Sequence, residues 1–117
     1  MNPIELEART KTFALRTIKL TRAIPKNDEA GRVIAKQIIR SGTSVAANYR
    51  ASCRARSRAE FVSKIGTVEE ESDETALWLE LLIESGIMPA KKLSALLEEA
   101  NALTAIMASS RKTASGK

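Results

Sequence analysis

Histidine is absent, cysteine occurs once, at Cys53, and the aromatic residues are few: Phe13, Tyr49, Phe61 and Trp78. Without histidine, the chain lacks the side chain most often used as a general base near neutral pH and as a zinc ligand. A single cysteine excludes an internal disulfide and fits a reducing cytoplasm, which is the expected location. Four aromatics make no obvious platform for stacking bases, and they force the core to be built from Leu, Ile, Val and Ala. The N-terminus has no basic region followed by an apolar run, and no stretch approaches 18 consecutive apolar residues. The sequence therefore reads as having neither signal peptide nor spanning helix, and no membrane is expected as a partner.

What is present fits one small domain. The chain has 117 residues, of which 44% are hydrophobic and 28% charged, enough for a modest core that self-association would enlarge. Its net charge of +5 is unevenly distributed. Residues 1–58 carry thirteen Lys/Arg against four Asp/Glu, and residues 59–117 carry six against ten. A basic half permits binding to polyanions, and two halves of opposite sign can also satisfy one another within or between subunits.

The apolar residues recur at helical spacing. Leu6, Phe13, Thr17, Leu20 and Ile24, widened by Ala14 and Ile18, predict a first helix that starts near Pro3 and ends before Pro25. Asn27 or Asp28 can cap a second helix running to about Cys53. Its predicted inward positions are Ala30, Ile34, Ile38, Ser41, Val45, Asn48 and Ser52. Gly42 lies mid-helix, where it costs about 1 kcal/mol relative to Ala. With Ser41, Ser44, Ala46 and Ala47 it forms a small-residue segment that a neighbouring helix can approach closely. Ser57-Arg58-Ala59-Glu60 before Phe61 matches a capping box, with Ser57 accepting a first-turn N–H and Glu60 answering the Ser57 N–H. A third helix from Arg58 to about Ser85 then turns Phe61, Ile65, Val68, Ser72, Thr75, Leu79 and Leu82 inward, with Trp78, Leu81 and Ile83 broadening that face late in the helix. Gly86 closes it, and Pro89 opens a fourth helix marked by Leu93, Leu96, Leu97, Ala100, Leu103, Ile106 and Met107. The expected fold is an all-α, antiparallel up-and-down four-helix bundle over residues 1–110. Residues 111–117, without a periodic apolar face, read as a basic, disordered tail.

Enzymatic chemistry finds little support. Cys53 stands beside Arg54, but a helix C-terminus disfavours a thiolate and no base is available to activate it. Glu69, Glu70, Glu71, Asp73, Glu74, Glu80 and Glu84 invite a carboxylate–metal reading. Di-metal bundles, however, draw inward carboxylates from several helices and use Glu-x-x-His pairs; these acids crowd one helix and mostly miss its inward phase. Gly42 and Gly66 are isolated, so no phosphate-cradling loop exists. No cofactor or metal is implied. Ser41, Ser44 and Asn48 read as polar devices that fix helix register or oligomer geometry.

The arginine ridge carries the functional expectation. Arg32, Lys36, Arg40, Arg50 and Arg54 fall nearly opposite the inward sector of the second helix, with Arg56 and Arg58 at the corner that follows. Guanidinium groups make forked, charge-assisted contacts to phosphate oxygens. No helix-turn-helix or zinc-finger signature accompanies them, so backbone recognition with weak sequence preference is expected. The alternative is a structural or protein-interaction module in which the basic N-terminal half meets the acidic third helix of a neighbouring subunit.

Gln37, Arg40-Ser41, Ser44 and Asn48, followed by Ser57, Glu60 and Phe61, give the chain a further meaning by their order and spacing. With Phe13, Pro25 and Gly86 they extend over almost its whole length, and the chain resembles the bacterial four-helix-bundle proteins of the 23S ribosomal RNA intervening-sequence family. The resemblance implies a small cytoplasmic protein, up-and-down helices, no shared reaction and a homo-pentameric ring. It also implies RNA or DNA as a partner, since one related group serves as a reverse-transcriptase accessory that meets nucleic acid through a basic surface; a protein partner is the other option. The pattern departs at Tyr49-Arg50-Ala51-Ser52, where relatives often have Ile-Ala-Glu-Gly, so the corner is charged differently here.

Overall fold

The first helix, α1 (Pro3–Thr21), begins where Asn2 and Glu5 cap one another. The Glu5 N–H donates to Asn2 Oδ1 at 2.8 Å, and the Asn2 N–H donates to Glu5 Oε1 at 3.2 Å. Two of the donors that every helix start leaves without partners are satisfied in this way. Three further helices follow: α2 (Glu29–Cys53), α3 (Arg58–Glu84) and α4 (Ala90–Ala114). A computed structural model describes residues 1–116, and no strand occurs among the described residues. Asp28 caps α2 by accepting the Gly31 N–H at 2.8 Å. Gly86 closes α3 with a φ of 80°, in the left-handed region where a side chain is strained.

The chain folds up and down, each helix packing against the next, while α1 and α4 touch more sparsely and α1 does not meet α3. The bundle measures 46 × 21 × 20 Å, consistent with helices of 25–27 residues at about 1.5 Å per residue. Phe13, Ile38, Val45, Ile65, Val68, Leu79, Leu82, Leu93, Leu103 and Met107 are fully buried along its axis. The expected all-α bundle holds, and so do its helix boundaries to within a residue or two, except at the C-terminus and at the end of α1, which stops at Thr21 and leaves Ile24 in the following turn.

Three local expectations need correction. On α2, Ala30 is exposed and Asn48 only half-buried, whereas Gly31, Gly42 and Tyr49 are buried. The buried arc is centred on Ile38, Val45 and Tyr49, so positions at its edge fall outside it. At the corner, Ser57 Oγ accepts the Glu60 N–H at 3.0 Å, but Glu60 Oε2 accepts the Arg56 N–H at 2.6 Å and leaves that of Ser57 alone. The box is shifted back by one residue on its acidic side. Residues 111–114, expected to be disordered, continue α4, because the Arg111 guanidinium binds Glu69 of α3 at 2.7 Å and fastens the last turns. Lys117 lies outside the described residues.

Packing between helices is set by small and hydroxyl-bearing residues. A Cβ at Gly42 would lie 2.5 Å from Thr17 Oγ1 and 2.8 Å from Thr17 Cβ, so α1 and α2 approach closely only because no side chain stands there. Ser41 Oγ and Thr75 Oγ1 share a buried hydrogen bond of 2.8 Å that ties α2 to α3. Ser72 and Thr104 do the same for α3 and α4 at 2.9 Å. Each is a directional contact within a core that is otherwise non-directional, and no buried side-chain polar atom among the described residues is left without a partner.

Candidate nucleic-acid interface

The expected ridge residues Arg32, Lys36, Arg40, Arg50, Arg54, Arg56 and Arg58 are all exposed, yet they do not form one uniform surface. Arg32, in the first turn of α2, donates to the Lys26 carbonyl at 2.8 Å and belongs to the α1–α2 end of the bundle. Lys36 lies one turn further on. Arg40 is held within the chain: its guanidinium pairs with Glu71 at 3.1 Å and also with Glu74. Gln37 supports it at 3.1 Å, and Trp78 Nε1 donates to the same Glu74 carboxylate at 3.1 Å. Arg50 stands 3.7 Å from Glu7 of α1. The middle of the ridge is thus partly neutralised by acids of the neighbouring helices.

Arg54, Arg56 and Arg58 differ. They occupy the short α2–α3 connection and its edges, and none enters an ion pair among the described residues. Arg54 is the C-cap of α2, where a cation complements the negative end of the helix. Arg58 opens α3, where the helix dipole opposes a positive charge, so nothing in the helix itself favours its presence there. Glu60 is the acid nearest them in sequence, and its carboxylate accepts the Arg56 backbone N–H instead of pairing with a guanidinium.

The same end of the bundle gathers the start of α1 and the end of α4. A shallow hollow of about 410 Å³ is lined there by Met1, Leu6, Tyr49, Cys53, Phe61 and Ser110, among others. Lys112, on the last turn of α4, adds another exposed cation that enters no ion pair among the described residues. Tyr49 is buried, and this burial, reinforced by the neighbouring Cys53 thiol, raises its phenol pKa above the usual value. Tyr49 is therefore a wall of the core and no stacking platform. Phe61 is half-buried at the hollow.

The polar positions divide as well. Ser41 is fully buried and forms the α2–α3 tie to Thr75. Ser44 and Asn48 satisfy each other within α2: Asn48 Nδ2 donates to Ser44 Oγ at 2.8 Å and to the Ser44 carbonyl at 3.0 Å. Among the described residues, no cluster of three potential metal ligands comes together. Sequence reasoning missed two cross-helix ion pairs, Arg9–Glu99 and Arg111–Glu69, each at 2.7 Å. Both span a large separation in sequence, and no local periodicity pairs their members.

Comparisons with known proteins agree with this geometry. A crystal structure described as a protein with unknown function from the S23 ribosomal protein family, from Bacteroides thetaiotaomicron VPI-5482, is similar at 31% sequence identity. Its TM-score is 0.86, and the match covers 96% of this chain and 99% of that one. No curated protein matches the chain. The family of 23S rRNA-intervening sequence proteins matches over residues 4–109, and the chain belongs to that family.

Proposed function

We propose that the protein is a non-enzymatic, self-associating helical bundle that holds nucleic acid by its phosphate backbone. In this reading the contact lies at the α2–α3 corner. The observation that carries it is the set of three exposed arginines, Arg54, Arg56 and Arg58, which no carboxylate of the chain neutralises among the described residues. Arginine side chains without partners present forked donors to phosphate oxygens at no cost of breaking an existing pair. Lys112 extends the same positive end, while Arg40 and Arg50 contribute less because acids face them.

Assembly multiplies this modest feature. In a homo-oligomer, a five-membered ring being the form the resemblance implies, each corner recurs around the axis and the positive surface grows with the number of subunits. Exposed Ile4, Leu15, Val33 and Leu77 supply apolar surface for such contacts. The lone exposed Cys53 suits a reducing cytoplasm, where it stays unpaired. The chain has no histidine, and its one thiol, Cys53, has no base to activate it among the described residues, so no reaction is assigned to the protein.

The test is a fluorescence titration of labelled single-stranded and duplex RNA and DNA with the wild-type protein across a range of salt concentrations. The expected result is binding that weakens steeply with salt and differs little between sequences, as phosphate contacts require. No binding to any of these at low salt overturns the proposal.

A further inference from the structure

Two surfaces of the bundle, a groove between α1 and α4 and the outer face of α3, complement each other in charge and polarity. Where α1 and α4 touch sparsely, a groove of about 420 Å³ opens between the second half of α1 and the first half of α4. Its floor is apolar, with Leu20, Met88 and Leu96, and its rim carries Arg16, Lys19 and Lys92. None of these three cations enters an ion pair among the described residues. Three like charges facing one another across an apolar cleft repel, and a carboxylate-bearing partner would relieve that repulsion.

The outer face of α3 has the opposite character. Leu77 and Leu81 stand one turn apart and are 47% and 38% exposed, so Leu81 lies outside the inward face that its spacing predicted. At helical spacing around them, Glu70, Asp73 and Glu84 are exposed and likewise enter no ion pair among the described residues. Of the half-buried acids of the same helix, Glu69, Glu71 and Glu74 are paired within the chain, and Glu80 enters no ion pair among the described residues. α3 therefore has one acidic face that is mostly satisfied internally and one, with an apolar centre, that is not. That free face, two leucines bordered by three carboxylates, matches in charge and polarity the basic-rimmed apolar groove.

We infer that the occupant of the α1–α4 groove is the outer face of α3 from a second copy of this chain, with Leu77 and Leu81 on the groove floor and Glu70, Asp73 and Glu84 against Arg16, Lys19 and Lys92. The two surfaces are different, one built from α1 and α4 and the other from the outer side of α3. The contact is accordingly heterologous, running head to tail around a closed ring or along an open chain. The inference rests on the self-association proposed above and names the interface by which it occurs. Charge-matched rims favour fast, correctly registered docking, and the buried leucines supply the affinity.

Sedimentation of four samples tests it: wild type, a face variant (E70K, D73K, E84K), a groove variant (R16E, K19E, K92E), and an equimolar mixture of the two variants. Wild type is expected above the 12.7 kDa of one chain, each variant at the monomer mass with unchanged helical circular dichroism, and the mixture reassociated. Leu77→Asp, at a single exposed site, is expected to raise the dissociation constant at least tenfold without touching a charge of the groove. If wild type assembles but Leu77→Asp and the folded variants assemble equally well, the interface is wrong and self-association stands. If the folded variants remain separate when mixed, charge matching is refuted. A monomeric wild type overturns both.

Discussion

Arg40 and Arg54 lie on the same stripe of α2, yet the chain treats them in opposite ways. Arg40 faces α3 where Glu71 and Glu74 stand, and its charge is shared among two carboxylates. Arg54 ends the helix, where the neighbouring element is the short α2–α3 connection, and it enters no ion pair among the described residues. The middle of α2 is a fastening: Gly42 seats Thr17, Ser41 binds Thr75, and Arg40 clamps α3. The C-terminal end of α2 is an outlet for charge. A stripe of like residues is thus not one functional surface, because each residue's role depends on what the next helix brings against it.

Substitutions can break this division, beginning with the largest expected effect. Gly42→Leu inserts a side chain where even a Cβ would lie 2.5 Å from Thr17 Oγ1. It should destabilise the bundle by about 3 kcal/mol or more through overpacking at the α1–α2 contact, measured as a lowered denaturant midpoint. Ser57→Ala removes the cap on the Glu60 N–H and should cost about 1 kcal/mol, read in the same unfolding curves. Arg40→Ala should cost less than about 1 kcal/mol, because the pair is half-exposed and screened by solvent. Arg54→Ala and Arg56→Ala, which release no ion pair, should stay within about 0.5 kcal/mol of wild type. An Arg54→Ala loss as large as that of Gly42→Leu would erase the distinction between fastening and outlet.

A pH experiment sharpens the boundary between the two regions, since Tyr49 sits between them. Burial holds its phenol pKa above the ordinary value near 10. Above that ordinary value the unfolded chain loses the proton while the folded chain keeps it, so the folded state loses stability as pH rises. Unfolding curves should show a decline beginning at about pH 10, and Tyr49→Phe should remove that part of it. Because Tyr49 is the single tyrosine, its absorbance change reports the titration directly. Ionisation near pH 10 in the folded protein would show that it is solvated instead.

The interior was more legible in the sequence than the surface. Helical spacing marked Phe13, Ile38, Val45, Ile65, Leu79 and Leu103 correctly, since one buried stripe per helix leaves a strong local signal. Gly42 was legible as a close approach because only a missing side chain explains glycine in mid-helix. Phase alone misjudged Ala30 and Asn48, which lie where the buried arc of α2 is bounded by its neighbours. The C-terminal turns of α4 were missed because their anchor, Glu69, is remote in sequence. The arginine stripe was visible, but its division was not: which arginines are neutralised depends on the acids that α1 and α3 place opposite, and these positions follow from packing across helices.

The most direct measurement compares two variants in RNA binding across salt: Arg40→Ala, and the triple change of Arg54, Arg56 and Arg58 to Ala. The account expects the triple variant to lose at least tenfold in affinity at low salt and to flatten the plot of log affinity against log salt by roughly 2 to 3, about 0.7–0.9 for each phosphate contact removed. Arg40→Ala should leave both nearly unchanged. An Arg40→Ala loss equal to or larger than that of the triple variant would contradict it, placing the contact on the middle of α2 and not at its end.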